Sequence, residues 1–202
     1  MKWIAPVFVY VAVGVGLFIF RTAWSSLLTF HIAILISLLI ARPNIPLRIL
    51  FTGRNIQWIL ISILLCGSSG VTLYFFWDKF GIANDLAAHV EAMGLSASTW
   101  IPFITYFTLV NPLLEEYFWR GYLGSPTTNF YLSDFLYAGF HGLILLNKVQ
   151  PSMIVYSLAL LVLAGWFWRQ IARTDGGLLA PVLGHMAADL TILLAVYLRL
   201  HG

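Results

Sequence analysis

Ala23–Ala41, AWSSLLTFHIAILISLLIA, runs without one Lys, Arg, Asp or Glu and holds a single histidine, His31. A helix needs about 20 mostly apolar residues to cross a bilayer. Backbone amides have no water there, so the segment must satisfy its own hydrogen bonds, as a helix does. This stretch therefore reads as a transmembrane helix. Working outward, six similar segments follow the same rule: Trp3–Phe20, Ile56–Trp77, Thr99–Arg120, Ser133–Leu146, Pro151–Trp168 and Leu178–Leu198. The expected fold is an all-α polytopic transmembrane bundle of about seven spans, with Ser133–Leu146 short for a full crossing. Residues 1–202 read as one transmembrane domain.

Composition agrees. The chain is 60% hydrophobic and 9% charged, against roughly 25% charged in soluble domains. So few charges cannot solvate a globule of this size. A soluble enzyme and a disordered chain are excluded. The net charge of +3 comes from scattered basic residues, which form no nucleic-acid-binding patch. The single Cys66 offers neither a disulfide nor a cysteine zinc motif. The first segment is preceded by Lys2 and lacks a small-x-small cleavage site, so it reads as an anchor.

The linkers set the expected orientation. With the N-terminus inside, Lys2, Arg42, Arg48, Arg54, Arg169 and Arg173 are cytoplasmic. Arg21, Lys79, Lys148 and Arg199 then face out, together with Asp78–Ser98, which has the pattern of a short amphipathic helix lying on the membrane surface. Short loops and small size point to a bacterial plasma membrane.

An ionisable group at mid-bilayer costs about 2.5–3.5 kcal/mol on insertion scales, so each is a functional candidate. The first half offers only His31, which reads as a satisfied interhelical contact. The second half holds Glu115, Glu116, Arg120, His141, His185 and Asp189. At 1.5 Å per residue, Glu115 lies roughly 8 Å from the Arg120 end of its helix. His185 and His141 lie about 11 and 12 Å from the starts of theirs. All three ends are cytoplasmic in this orientation, so one pocket can collect the group.

Glu116 and Arg120 are four apart and share a helix face as an ion pair. Glu115 is rotated by about 100° and remains free for chemistry. Pro112 cannot donate a helix hydrogen bond and is expected to kink the span. His185 and Asp189 are also four apart, so the carboxylate can orient the imidazole. Three chemistries are open to this set. Metal-assisted hydrolysis would use Glu115, His141 and His185 as ligands to a divalent ion such as zinc. Metal-free hydrolysis would use Glu115 as general base on water. A transporter or proton relay would pass protons along the same groups. His-Glu-x-x-His and Gly-x-Ser-x-Gly are both absent.

Glu115-Glu116-Tyr117-Phe118-Trp119-Arg120-Gly121, a later helix carrying His141, and His185-Met186-Ala187-Ala188-Asp189 together resemble the CPBP family. These are the CAAX proteases and bacteriocin-processing proteins, also called Abi. The resemblance covers residues 99–200, the motif-bearing core. It implies an intramembrane endopeptidase acting on membrane-associated substrates, prenylated CAAX-type or bacteriocin-like peptides. Glu115 would then be the catalytic base, with His141 its partner in activating water. His185 and Asp189 would hold the oxyanion, supported by Glu116 and Arg120. The family carries both a metalloprotease and a glutamate-type description, and some members are linked to immunity, a binding-only alternative. Two positions depart from its usual pattern: Tyr137 stands where Phe is common, and Asp189 where Asn is common. An aspartate donates a hydrogen bond only when protonated, so Asp189 is expected to orient His185 or bind a cation rather than contact the oxyanion directly.

Overall fold

The computed structural model describes residues 2–202. Among them the chain is helical throughout, with one isolated bridge between Ile82 and Val149 and no strand. Eight α-helices follow in order: α1 (Ala5–Gly14), α2 (Ala23–Ala41), α3 (Ile56–Phe75), α4 (Leu86–Ala92), α5 (Trp100–Glu116), α6 (Leu132–Leu145), α7 (Pro151–Asp175) and α8 (Leu179–His201). Lys2–Ile4 leads into α1, and π-helical turns extend α1 over Val15–Phe20 and α5 over Tyr117–Tyr122.

Helix ends follow local chemistry. Thr22 Oγ1 accepts from Ser25 N at 3.1 Å and starts α2, the usual N-cap role of a hydroxyl. Asn55 does the same for α3 through Gln57 N. Pro151 opens α7, where its missing N–H costs nothing. Gly176, at φ 70°, closes it in the left-handed conformation that glycine adopts freely.

The chain is an integral, multi-pass membrane protein. Among the described residues, five helical stretches are long and apolar enough to cross a bilayer: Lys2–Phe20, α2, α3, α7 and α8. The other two expected crossings differ in kind. α5 is 17 residues and carries the two glutamates, while α6 is 14 residues. Burial is inverted relative to a soluble protein. Leu39, Ile40, Leu64 and Phe75 are 70% or more exposed, whereas Glu115, Glu116, Asp134 and Arg169 are at most 2% exposed. Apolar outer faces meet lipid, and charges turn inward to partners.

Without a hydrophobic drive between helices in lipid, small residues allow the close packing that holds them. α3 lies along α8 in this way. Gly70 faces the backbone of Thr191, and Gly184 faces Ser62, in both cases so closely that a Cβ would collide. Ser62 also accepts a hydrogen bond from Trp168 Nε1 at 3.0 Å, which ties α3 to α7. A core of Val9, Phe30, Ile34, Phe118, Trp119, Tyr137, Phe140 and Trp168 joins α1, α2, α5 with its extension, α6 and α7.

Two linker expectations change. The helix in Asp78–Ser98 is α4, but Val90 and Leu95 are buried against Trp100, Phe103 and Leu27. It packs on the bundle end rather than lying only on lipid. α7 runs past Trp168 to Asp175, so Arg169 sits within a helix and is buried instead of standing in a cytoplasmic loop.

Candidate active site

The second-half ionisable residues come from three elements: α5 with its extension, α6 and α8. Pro112 lies inside α5 and is buried, one turn before Glu116. Glu115 and Glu116 point to different partners, as their 100° offset requires.

Glu116 is the centre of a charge cluster. Its Oε1 lies 3.1 Å from Arg120 Nη1 and 2.8 Å from His185 Nδ1. The arginine contact is an ion pair without an aligned hydrogen bond, since neither terminal nitrogen of Arg120 has a hydrogen-bond partner among the described residues. Its guanidinium instead lies over aromatic rings, 3.8 Å from the Tyr137 centroid and 5.0 Å from that of Trp168. Such cation–π contacts offset part of the desolvation of a buried charge.

His185 donates from Nδ1 to Glu116. Its ring stacks on Trp168 at 4.9 Å and 23°, while Nε2 faces Asp189 Oδ1 at 3.6 Å. That last distance is too long for a hydrogen bond, so Asp189 flanks the imidazole electrostatically while Glu116 orients it. Asp189 is the expected orienting partner of His185, but the imidazole's hydrogen bond goes instead to Glu116, a carboxylate 69 residues away in sequence.

Glu115 is held by a residue that composition and motif do not single out. Asn111 Nδ2 donates to Glu115 Oε1 at 2.9 Å and to Asp189 Oδ2 at 3.2 Å. Asn111 lies one helical turn before Glu115, so the i,i+4 rule applied to the other pairs would have reached it. Glu115 Oε2 is buried with no hydrogen-bond partner among the described residues.

His141 donates from Nδ1 to the Tyr137 carbonyl at 3.0 Å, which leaves Nε2 as the acceptor of the neutral ring. Its ring lies 4.1 Å from Phe140 and 5.2 Å from Tyr137, and His185 lies 6.1 Å from the same Tyr137 ring. The two histidines thus flank Tyr137, the aromatic wall. No direct hydrogen bond joins His141 to Glu115 among the described residues. Nor does any group of three His, Cys, Asp or Glu there come together as a metal-ligating cluster.

A second buried pair has no local sequence signal. Arg169 Nε and Nη2 grip Asp134 Oδ1 and Oδ2 at 2.9 and 2.7 Å, a bidentate fork. The same guanidinium donates to the carbonyls of Thr127 and Asn129. Asp134 also accepts from Tyr131 N at 2.9 Å, capping α6. The pair therefore fastens the turn between the α5 extension and the helix that carries His141.

Residues 97–191 match the family model of the Rce1-like type II CAAX prenyl endopeptidases. That segment includes α5, α6, α7 and the His185–Asp189 stretch of α8. The match supports the CPBP/CAAX protease family, a family of membrane-embedded endopeptidases, over the segment that carries the motifs. Comparison with the curated proteins gives no match, and comparison with the solved structures gives none either.

Proposed function

We propose that the chain is a glutamate-type intramembrane endopeptidase cutting membrane-associated peptides, prenylated CAAX-type chains foremost. The observation that carries this reading is the division of labour within Glu115: Oε1 is held by Asn111, while Oε2 is buried and without a partner. A water beside Oε2 gives up a proton to it and attacks the scissile carbonyl as hydroxide. His141, with Nε2 available, is the second acceptor that orients this water. The carbonyl oxygen becomes an oxyanion on the side of His185, whose imidazole Asp189 flanks. Collapse breaks the C–N bond, and the proton held by Glu115 passes to the leaving amine. Water, peptide and protons balance without a co-reactant.

Glu116 and Arg120 serve by placing His185. In a dry pocket such prearranged groups act more strongly than in water. In this reading α5 with its extension and α6 complete seven crossings. The N-terminus is cytoplasmic, the site opens to the cytoplasmic leaflet, and the membrane is a bacterial plasma membrane. Residues 1–202 work as one domain with a catalytic core at 99–200.

The test is cleavage of membrane-tethered and farnesylated peptides by purified protein in proteoliposomes, with a chelator arm in parallel. Wild type should cleave with chelator present, and Glu115→Gln should not. Cleavage by Glu115→Gln would overturn the role of Glu115, and loss of wild-type activity on chelation would overturn the metal-free route.

A further inference from the structure

We infer that His31, on α2 and outside the family-matched segment, is a positioning residue for this site, acting through Asn111. The inference rests on the reading of Glu115 as the base. His31 Nε2 lies 3.1 Å from Asn111 Oδ1, and Nδ1 lies 3.2 Å from the Tyr106 hydroxyl. His31 is 2% and Asn111 2% exposed, so water does not compete for the bond between them.

The direction of every bond in this chain is fixed by its far end. Glu115 Oε1 and Asp189 Oδ2 are carboxylate oxygens and accept, so the Asn111 amide must present both of its N–H groups to them. Its Oδ1 is then turned back toward α2 and needs a donor. His31 Nε2–H is that donor. The neutral ring therefore carries its lone pair on Nδ1, where the Tyr106 O–H donates to it. The sequence Tyr106, His31, Asn111 and then the two carboxylates is a single polarised run of hydrogen bonds, in which each member strengthens the next. Nothing else among the described residues bonds to Asn111 Oδ1.

Mechanical consequences follow. With His31 in place the amide cannot rotate about its terminal torsion without losing three hydrogen bonds together. Glu115 Oε1 is held, and Oε2 stays turned to the position where water is activated. Without a donor behind Oδ1 the amide rotates, and Glu115 moves relative to its water. Displacement of a reacting group by about 1 Å costs on the order of 10²-fold in rate. His31 touches neither substrate nor water, so the loss falls on kcat and leaves KM alone. A residue that merely fills space would lower the yield of folded protein and spare the turnover of each folded molecule.

The experiment compares wild type, His31→Phe, His31→Gln, Tyr106→Phe and Glu115→Gln in proteoliposomes, on a quenched fluorescent farnesylated peptide. Rates are normalised to the folded, monodisperse fraction. His31→Phe should lose on the order of 10²-fold in kcat at unchanged KM. His31→Gln retains a side-chain N–H donor and should recover most of that loss. Tyr106→Phe removes only the hydroxyl and should give a smaller fall, again in kcat. Wild-type kcat in His31→Phe beside an inactive Glu115→Gln would overturn the inference alone, as would His31→Gln being no better than His31→Phe. An active Glu115→Gln would overturn the reading of the base, and the inference with it.

Discussion

Glu116 on α5 and His185 on α8 meet at 2.8 Å, both buried, and this bond, with the one from Asn111 to Asp189, ties together two helices on which the proposed chemistry depends. Because the same Oε1 also lies 3.1 Å from Arg120, Glu116 holds two positively inclined groups at once. Glu115 is spared from either task, and its buried Oε2 makes no hydrogen bond among the described residues.

Glu116→Ala should therefore destabilise the bundle strongly, by about 3–5 kcal/mol, since it strands a buried guanidinium. Thermal unfolding in detergent is the measurement. An unchanged Tm would show that Arg120 finds another partner and that the cluster is not structural.

Glu115→Gln should leave unfolding unchanged while cleavage falls by roughly 10²–10⁴-fold, the usual scale of a general base. The amide still accepts from Asn111 through its oxygen but cannot take a proton from water. Equal losses of stability and turnover would instead mark Glu115 as a packing residue.

The Asp134–Arg169 fork should not tolerate Lys. Arg169→Lys keeps the charge yet loses the planar bidentate geometry and the grip on the Thr127 and Asn129 carbonyls. Hydrogen exchange in residues 125–131 should accelerate in this variant while α3 and α8 stay protected. Uniform acceleration across the bundle, or none at all, would contradict a local clamp.

Gly70→Ala and Gly67→Ala offer a matched pair on one helix. A Cβ at Gly70 collides with the Thr191 backbone, whereas one at Gly67 rests 3.5 Å from the Ala187 side chain. Gly70→Ala should cost about 1–3 kcal/mol, the range for overpacking, and Gly67→Ala close to nothing. Equal midpoints in thermal unfolding would mean that α3 and α8 do not pack as described.

Much of the helix layout was legible because each crossing must close its own hydrogen bonds. α2 coincides with the expected Ala23–Ala41, and α6 begins and ends within one residue of the expected Ser133–Leu146. The end of α7 was not legible. Arg169 looks like a charge outside lipid until Asp134 and two loop carbonyls are found around it. Likewise His31 reads as a contact between helices, and it is one, bonded to Asn111 and Tyr106. Its link through Asn111 to Glu115 is invisible in sequence, because its partners lie 75 and 80 residues away.

The amino-acid sequence by itself determined that this is a helical membrane protein, and that Glu116 shares a face with Arg120 and His185 with Asp189. Both results rest on local physics: the thickness of the bilayer and the 3.6-residue turn. Only the tertiary structure decided that His185 bonds to Glu116, that Asn111 bridges Glu115 and Asp189, and that Arg169 closes on Asp134. The helical period fixes which residues of one helix point the same way. Which helix faces that side is set by how close the backbones come, and here that is decided where Gly70 meets Thr191 and Gly184 meets Ser62.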